Sequence, residues 1–182
     1  SETGILPQLE LRDAQLAMSE DQYLSEFECS FQAAIVGSVW GRELSIAEAE
    51  GRICSVPHDK AIGVHTWWDL GMRNAMVIWF TQDVGREVHI IDHCEILGGG
   101  LPEAAEELNK RPYSYAGHHA PHDVRVRELG TGKSRIETAK SLGISFDDKN
   151  IVPNIPLEDG IQAARLFFAR CWFDREKTAR GR

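Results

Sequence analysis

The stretch of sequence that decides the fold runs from Gly63 to Ile96 and reads GVHTWWDLGMRNAMVIWFTQDVGREVHIIDHCEI. It contains three β-like runs, at residues 63–69, 75–81 and 87–96, and the third is rich in valine and isoleucine. The pair Gly85-Arg86 between the second and third runs suits a hairpin turn. We therefore predict three consecutive strands joined as a meander, the first of which ends in an acidic residue, Asp69.

Helices and strands alternate after this meander. Apolar residues at helical spacing predict a helix over 101–110, and further helices are predicted over 134–142 and 156–173. Strands are predicted over 113–119 and 144–152. Three meandering strands followed by alternating helices and strands indicate an α/β fold, a mixed five-stranded sheet with helices on both faces. This order of elements is the ribonuclease H-like one.

The first sixty residues differ in character from the rest, and nothing in them suggests chemistry. We predict a connector over residues 1–60 that packs against a domain formed by residues 61–182. The chain does not begin with Met, which favours a processed chain or an excised fragment.

Composition excludes several classes of protein. The balance of 42% hydrophobic and 26% charged residues is that of a globular chain. No apolar run approaches the roughly 20 residues of a membrane helix, so no membrane partner is expected. The four cysteines contain no Cys-x-x-Cys pair, which argues against a disulfide framework or thiolate zinc site. A net charge of −8 argues against bulk attraction to nucleic acid, but it permits local phosphate contacts and bound cations.

Three aspartates are the candidate catalytic and metal-binding residues. Asp69 ends the first predicted strand, Asp123 lies just beyond the fourth, and Asp159 lies at the start of the last predicted helix. Asp69 alone is equally consistent with a turn cap, and Asp159 alone with a favourable interaction with the helix dipole. Together they suit Mg²⁺ or Mn²⁺, and two such ions can activate water for phosphodiester cleavage.

Other charged residues are secondary candidates. Lys133 and Arg135 open a predicted helix and suit contact with DNA phosphates, although a solvated helix start explains them equally well. The preceding glycines do not complete a phosphate-binding loop, because Arg127 stands where that motif needs glycine. His122 is a candidate for contact with the scissile phosphate, and Glu95 is the reserve metal ligand. A zinc site of His118, His119 and His122 is disfavoured, since the segment resembles a strand and not a helix.

Five segments in order give the region from Gly63 to Phe173 a specific resemblance. The segments are Trp68-Asp69-Leu70-Gly71, residues 90–95, Pro121-His122-Asp123, residues 132–135 and residues 159–165. Together they resemble the nuclease domain of large terminase subunits from tailed bacteriophages and prophages. Residues 26–31 also resemble the segment that joins the ATPase domain of this family to its nuclease.

The resemblance implies metal ligands, a reaction and partners. It puts the metal aspartates at Asp69, at Asp123 and at or near Asp159. Asn74 departs from the family, many members of which carry an aspartate there, and Gln162 is the alternative position for the third acid. The implied function is cutting concatemeric viral double-stranded DNA during packaging, in the cytoplasm of the infected bacterial host. The implied partners are the terminase ATPase domain, the small terminase subunit and the portal protein.

Two other interpretations remain open at this stage. A Holliday-junction resolvase or transposase-like nuclease would share the fold and the acids, and it would prefer branched DNA. A catalytically silent module that docks on DNA or portal would share the fold alone. Metal-dependent nicking of a plasmid distinguishes the silent module from a nuclease.

Overall fold

The computed structural model describes residues 39–71, 75–127 and 132–182. Most of the predicted connector, the resembling segment at 26–31 and Asn74 lie outside these ranges. The chain divides into two compact units, with the boundary between Glu50 and Gly51. In the first unit, helix α1 spans Gly41–Ala49. The connector over residues 1–60 stays a prediction.

The second unit contains a mixed sheet flanked by helices. Its strands are β1 (Ile53–Cys54), β2 (Val64–Asp69), β3 (Ala75–Val84), β4 (Glu87–Leu97), β5 (Tyr115–Pro121), β6 (Ile151–Val152) and β7 (Cys171–Asp174). Its helices are α2 (Leu101–Asn109), α3 (Arg135–Ser141) and α4 (Leu157–Phe168), with short 3₁₀ turns at His122–Arg125 and Asp148–Asn150. The strand order is β1-β7-β4-β3-β2-β5-β6.

The predicted meander is confirmed. Strands β2, β3 and β4 pair antiparallel, and Val84 pairs with Glu87 across the two-residue turn Gly85-Arg86. Gly85 has φ of +64°, a conformation that L side chains rarely adopt, so a glycine at this turn is favoured over other residues.

The sheet has seven strands where five were predicted. The two additional strands, β1 and β7, are short, and they pair parallel with each other at one edge. The last helix consequently ends at Phe168, because residues 171–173 pair with β1 and β4 and do not continue the helix. The fifth strand, predicted over 144–152, is limited to β6 at Ile151–Val152. The side chains of Ile144 and Phe146 are buried although these two residues do not belong to a strand.

One continuous core packs against a single face of the sheet. Side chains from β2, β3 and β4 meet those of α2 and α3 there, among them Val64, Trp68, Ile78, Phe80, Ile91, Leu101, Ala104, Leu108, Ala139 and Phe146. Burying each large apolar side chain contributes roughly 1.5–3 kcal/mol. The core therefore fixes the positions of β2, which ends in Asp69, and of α3, which begins with Arg135. No helix within the described ranges is long and apolar enough to cross a membrane.

Candidate functional site

The three predicted acids follow three neighbouring strands. Strands β2, β5 and β6 lie side by side in the sheet, and both pairings are parallel. Their carboxyl ends therefore meet at one edge, which we call the acid edge. Asp69 is the last residue of β2, Asp123 lies in the 3₁₀ turn after β5, and Asp159 lies in the first turn of α4, the helix after β6.

Asp69 is exposed at the end of β2. It pairs with Val77 of β3, which in turn pairs with Glu95 of β4. Side chains directly opposite each other on paired strands share a face of the sheet. Asp69 and Glu95 therefore lie on the same face, separated by two strand spacings of roughly 4.8 Å each. Glu95, the reserve ligand, lies 3.0 Å from the guanidinium of Arg180, so its charge already has an opposite partner.

The glycine beside Asp69 has a structural role that the sequence did not reveal. Gly71 lies two residues after Asp69 in the segment Trp68-Asp69-Leu70-Gly71. A Cβ added there would clash with the carbonyl oxygen of Ala75. Backbone fills this space, so the absence of a side chain at Gly71 lets the chain approach the start of β3 closely.

The two carboxylate oxygens of Asp123 have different surroundings. Oδ2 lies 3.3 Å from Nη1 of Arg135 and accepts a hydrogen bond from it. Oδ1 is buried and, within the described part of the chain, has no hydrogen-bond partner. The side chain as a whole is 39% exposed, so the carboxylate opens to solvent although Oδ1 itself is covered. A buried acceptor without a partner is costly, and a bound cation would satisfy it.

The three predicted DNA-binding residues fall into two groups. Lys133 and His122 are exposed, as a phosphate contact requires. The side chain of Arg135 is only 10% exposed and faces Asp123. Its helix begins with a capping box, in which the Ser134 hydroxyl accepts from the Glu137 N–H and the Glu137 carboxylate accepts from the Ser134 N–H.

Asp159 lies on the most exposed helix of the second unit. No residue of α4 is buried. In its first turn Glu158 accepts a hydrogen bond from the side chain of Gln162, at 2.9 Å. Asp159 is exposed on the same turn, at a helix start where a negative charge is favourable.

The acids share an edge without forming a closed cluster. Within residues 39–71, 75–127 and 132–182, no group of three or more His, Cys, Asp or Glu residues lies close enough to hold a metal ion. The topology brings the ends of β2, β5 and β6 together, but the three carboxylates do not converge. Their joint role as metal ligands stays a prediction.

The histidines of β5 face opposite sides of the sheet. His118 Nδ1 lies 2.7 Å from the hydroxyl of Thr66, which accepts from the indole N–H of Trp68. Burial lowers the pKa of His118 to about 4. His119 lies on the other face, stacked on Trp67 with ring centroids 4.0 Å apart and with Nε2 3.1 Å from Nδ1 of His65. Because His118 and His119 point to opposite faces, their ring nitrogens do not converge as two ligands of one zinc ion would.

Sequence reasoning did not identify the contact between Arg135 and Asp123. The only local signal was the serine–glutamate spacing of the capping box at Ser134, which places Arg135 in the first turn of a helix. The two residues are twelve positions apart, and the pairing depends on how the chain returns: Arg127 bridges to Ser134, and the N–H of Arg135 donates to the carbonyl of Val126.

Several solved structures are similar in fold to this chain. The nuclease domain of the P22 large terminase matches with a TM-score of 0.50 and 14% sequence identity, over 69% of each chain. The chain has the fold of a large terminase nuclease domain. At this identity the match establishes the fold alone.

Two further terminase structures match over a similar part of the chain. A large terminase from a thermophilic bacteriophage matches with a TM-score of 0.49 and 14% identity, over 69% of this chain and 32% of that one. This chain thus spans about a third of the length of that terminase. The large terminase nuclease from thermophilic phage G20c with bound cobalt matches with a TM-score of 0.47 and 14% identity, over 70% and 72% of the two chains. No protein-family model and no curated protein matches the sequence.

Proposed function

We propose that this chain is a metal-dependent endonuclease that cuts double-stranded DNA, with Asp69, Asp123 and Asp159 as its metal ligands. The observation that carries the proposal is the acid edge. Three aspartates follow the carboxyl ends of three adjacent parallel strands, in a chain with the terminase nuclease fold.

The donor set fits Mg²⁺ or Mn²⁺. Carboxylate oxygens are the ligands that these ions prefer, and the buried Oδ1 of Asp123 has no partner among the described residues to satisfy it. Two such ions, when bound, supply an activated water and stabilise the leaving 3′ oxygen. The protein contributes fixed strand ends that hold the carboxylates, while exposed Asp69 and Asp159 leave room for substrate.

Exposed groups near the acid edge would hold the DNA. Lys133 is exposed just before α3, and its position suits contact with a phosphate. His122 is exposed beside Asp123, and it suits contact with the scissile phosphate. Glu95 remains the reserve metal ligand, and it would have to release Arg180 to serve.

The biological role follows from the resemblance to large terminases. We infer that the DNA cut is concatemeric viral DNA, in the cytoplasm of an infected bacterium, at the start and end of packaging. The partners would be the terminase ATPase domain, the small terminase subunit and the portal protein. The shared ribonuclease H-like order supports a Holliday-junction resolvase or transposase less directly, and preference for branched DNA would indicate it.

A silent docking module is the second candidate function. The observation that favours it is that no three-ligand group is closed within the described residues. Such a module would bind DNA or portal and would cut nothing. Cleavage by the isolated chain distinguishes the two functions.

The test is nicking of supercoiled plasmid by the 182-residue chain. We expect cutting with Mn²⁺ or Mg²⁺, none with chelator, and none with Ca²⁺, whose looser geometry positions water poorly. Asp69→Asn should abolish cutting without loss of fold, as monitored by circular dichroism. Asp83→Asn, which changes an exposed aspartate of β3 away from the acid edge, is the matched control and should cut normally. Cutting by Asp69→Asn at the wild-type rate would remove Asp69 from the site.

A further inference from the structure

Arg135 is a buried arginine at the start of α3. Its side chain is 10% exposed, although sequence analysis placed it among the DNA-binding residues. Burying a guanidinium is costly unless it is paired and hydrogen-bonded. The position of Arg135 is fixed by the Ser134–Glu137 capping box and by the backbone hydrogen bond to Val126. Local structure therefore holds the guanidinium in place, and it faces the carboxylate of Asp123.

We propose that Arg135 is a positioning residue that orients the Asp123 carboxylate for a divalent cation. Arg135 engages Oδ2 at 3.3 Å and leaves Oδ1 buried and without a partner among the described residues. Contact with one oxygen restricts rotation of the carboxylate and commits the other oxygen to the cation. This inference rests on the proposed metal-dependent nuclease function, and it assigns the guanidinium of Arg135 to the protein's own carboxylate and not to DNA.

A second arginine–aspartate pair, which is exposed, shows how the burial of Arg135 strengthens its contact with Asp123. Arg125, on the 3₁₀ turn that carries Asp123, lies 2.7 Å from Asp148. That pair is open to solvent, with side chains 57% and 90% exposed. Exposed pairs fix geometry weakly, because water competes for both partners. Arg135 is only 10% exposed, so water competes less for its planar guanidinium, which holds the carboxylate more firmly.

The experiment measures Mn²⁺ binding to the 182-residue chain by titration calorimetry, together with the Mn²⁺ dependence of plasmid nicking. Residues that orient metal ligands typically contribute roughly 10–100-fold to metal affinity or activity. We expect Arg135→Gln to weaken Mn²⁺ binding by roughly 10-fold or more. The Mn²⁺ concentration for half-maximal nicking should rise, and saturating Mn²⁺ should restore much of the rate. Arg135→Lys, which keeps the charge without the planar fork, should fall between wild type and Arg135→Gln.

The matched control is Arg125→Gln, which removes the same kind of side chain from the same region and should leave Mn²⁺ affinity unchanged. DNA binding in chelator is the second control. Arg135→Gln should keep the wild-type salt dependence of DNA binding, because a buried arginine neutralises no phosphate. A lower slope would return Arg135 to the DNA-binding residues and overturn the inference.

Arg135→Lys keeps the inference testable if Arg135→Gln folds poorly. In a folded Arg135→Lys chain, the Mn²⁺ concentration for half-maximal nicking should rise, while the salt dependence of DNA binding in chelator keeps the wild-type slope. Wild-type Mn²⁺ affinity of a folded Arg135→Lys chain overturns the inference. If wild type binds Mn²⁺ and nicks DNA while both Arg135 variants match it, only the inference fails. If wild type neither binds Mn²⁺ nor nicks DNA, the proposed function fails and the inference fails with it.

Discussion

Two aspartates near the ends of parallel strands, Asp123 after β5 and Asp174 at the end of β7, have opposite surroundings. Asp174 is 9% exposed, and its carboxylate accepts from the backbone N–H groups of Val56, Glu176 and Lys177. The carboxylate of Asp123 accepts from the side chain of Arg135, and its buried oxygen has no partner among the described residues. The protein satisfies Asp174 by itself, so that carboxylate is structural. It leaves Asp123 incomplete, as a residue reserved for a ligand would be.

The largest expected effect tests whether Asp123 is reserved for a metal. Asp123→Asn should reduce Mn²⁺-dependent plasmid nicking to background, because the amide removes the negative charge that holds the cation. The fold should remain, and Mn²⁺ should no longer raise the melting temperature, as we expect it to do in wild type. Normal nicking by a folded Asp123→Asn chain would place Asp123 with Asp174 as a structural carboxylate.

The second prediction tests whether Asp159 is a metal ligand, as proposed for Asp123, or a structural carboxylate like Asp174. If it is a metal ligand, Asp159→Asn should destroy cleavage, because the amide removes the negative charge that would hold the cation. Mn²⁺ should then stabilise the variant less than wild type. If it serves only the helix dipole, the loss should be about 0.3–1 kcal/mol of stability with cleavage intact.

Neighbouring residues of α4 provide controls for Asp159. Glu158→Gln and Gln162→Ala should be much milder, because their mutual hydrogen bond is exposed. If Gln162→Ala abolished cleavage and Asp159→Asn did not, Gln162 would replace Asp159 as the third candidate residue of the metal site.

The third prediction concerns Asp174. Asp174→Ala leaves three backbone N–H groups without their acceptor, so the free energy of unfolding should fall by about 3 kcal/mol, at roughly 1 kcal/mol for each hydrogen bond. Denaturant unfolding measures this loss, and Mn²⁺ affinity by calorimetry should stay unchanged. If Asp174→Ala lost Mn²⁺ binding and kept full stability, Asp174 would be a metal-binding carboxylate and not a structural one.

The Asp174 contribution should also depend on pH. Burial opposes the charged form, but the hydrogen bonds from Lys177, Val56 and Glu176 outweigh it and lower the pKa of Asp174. A carboxyl with a lowered folded pKa stabilises the fold above its unfolded pKa of roughly 3.9 and loses that contribution as pH falls through the folded value. The stability difference between wild type and Asp174→Ala should therefore shrink below about pH 4.

The smallest expected effect separates Lys133 from Arg135. Lys133→Ala should weaken DNA binding similarly on unrelated sequences, and it should lower the salt-dependence slope by about 1, as the loss of one phosphate contact requires. The slope is read from binding isotherms at several salt concentrations. An unchanged slope would assign Lys133 to the general protein surface.

The central elements of the fold were predictable from sequence because their signals are local. Strands β2 to β4 carry long apolar runs, and their hairpin has a glycine at the turn. Helix α3 begins where it was predicted, next to Ser134. The placement of Asp69 at a strand end and of Asp123 just beyond one was also predictable, since Asp69 ends the first β-like run and Asp123 follows the fourth.

Other features were decided only by tertiary structure. Residues 171–174 have no local signal that separates a helix from a strand, and pairing with β1 and β4 makes them β7. A strand is predicted over residues 144–152, but only residues 151 and 152 pair with β5. The difference between Asp123 and Asp174 arises in the same way. The sequence predicted Asp123 just beyond a strand and Asp174 just beyond a helix, whereas Arg135 and Val56, which contact the two carboxylates, come from other parts of the chain. Only the folded chain could decide that Asp174 has three backbone donors and that Asp123 keeps one oxygen without a partner among the described residues.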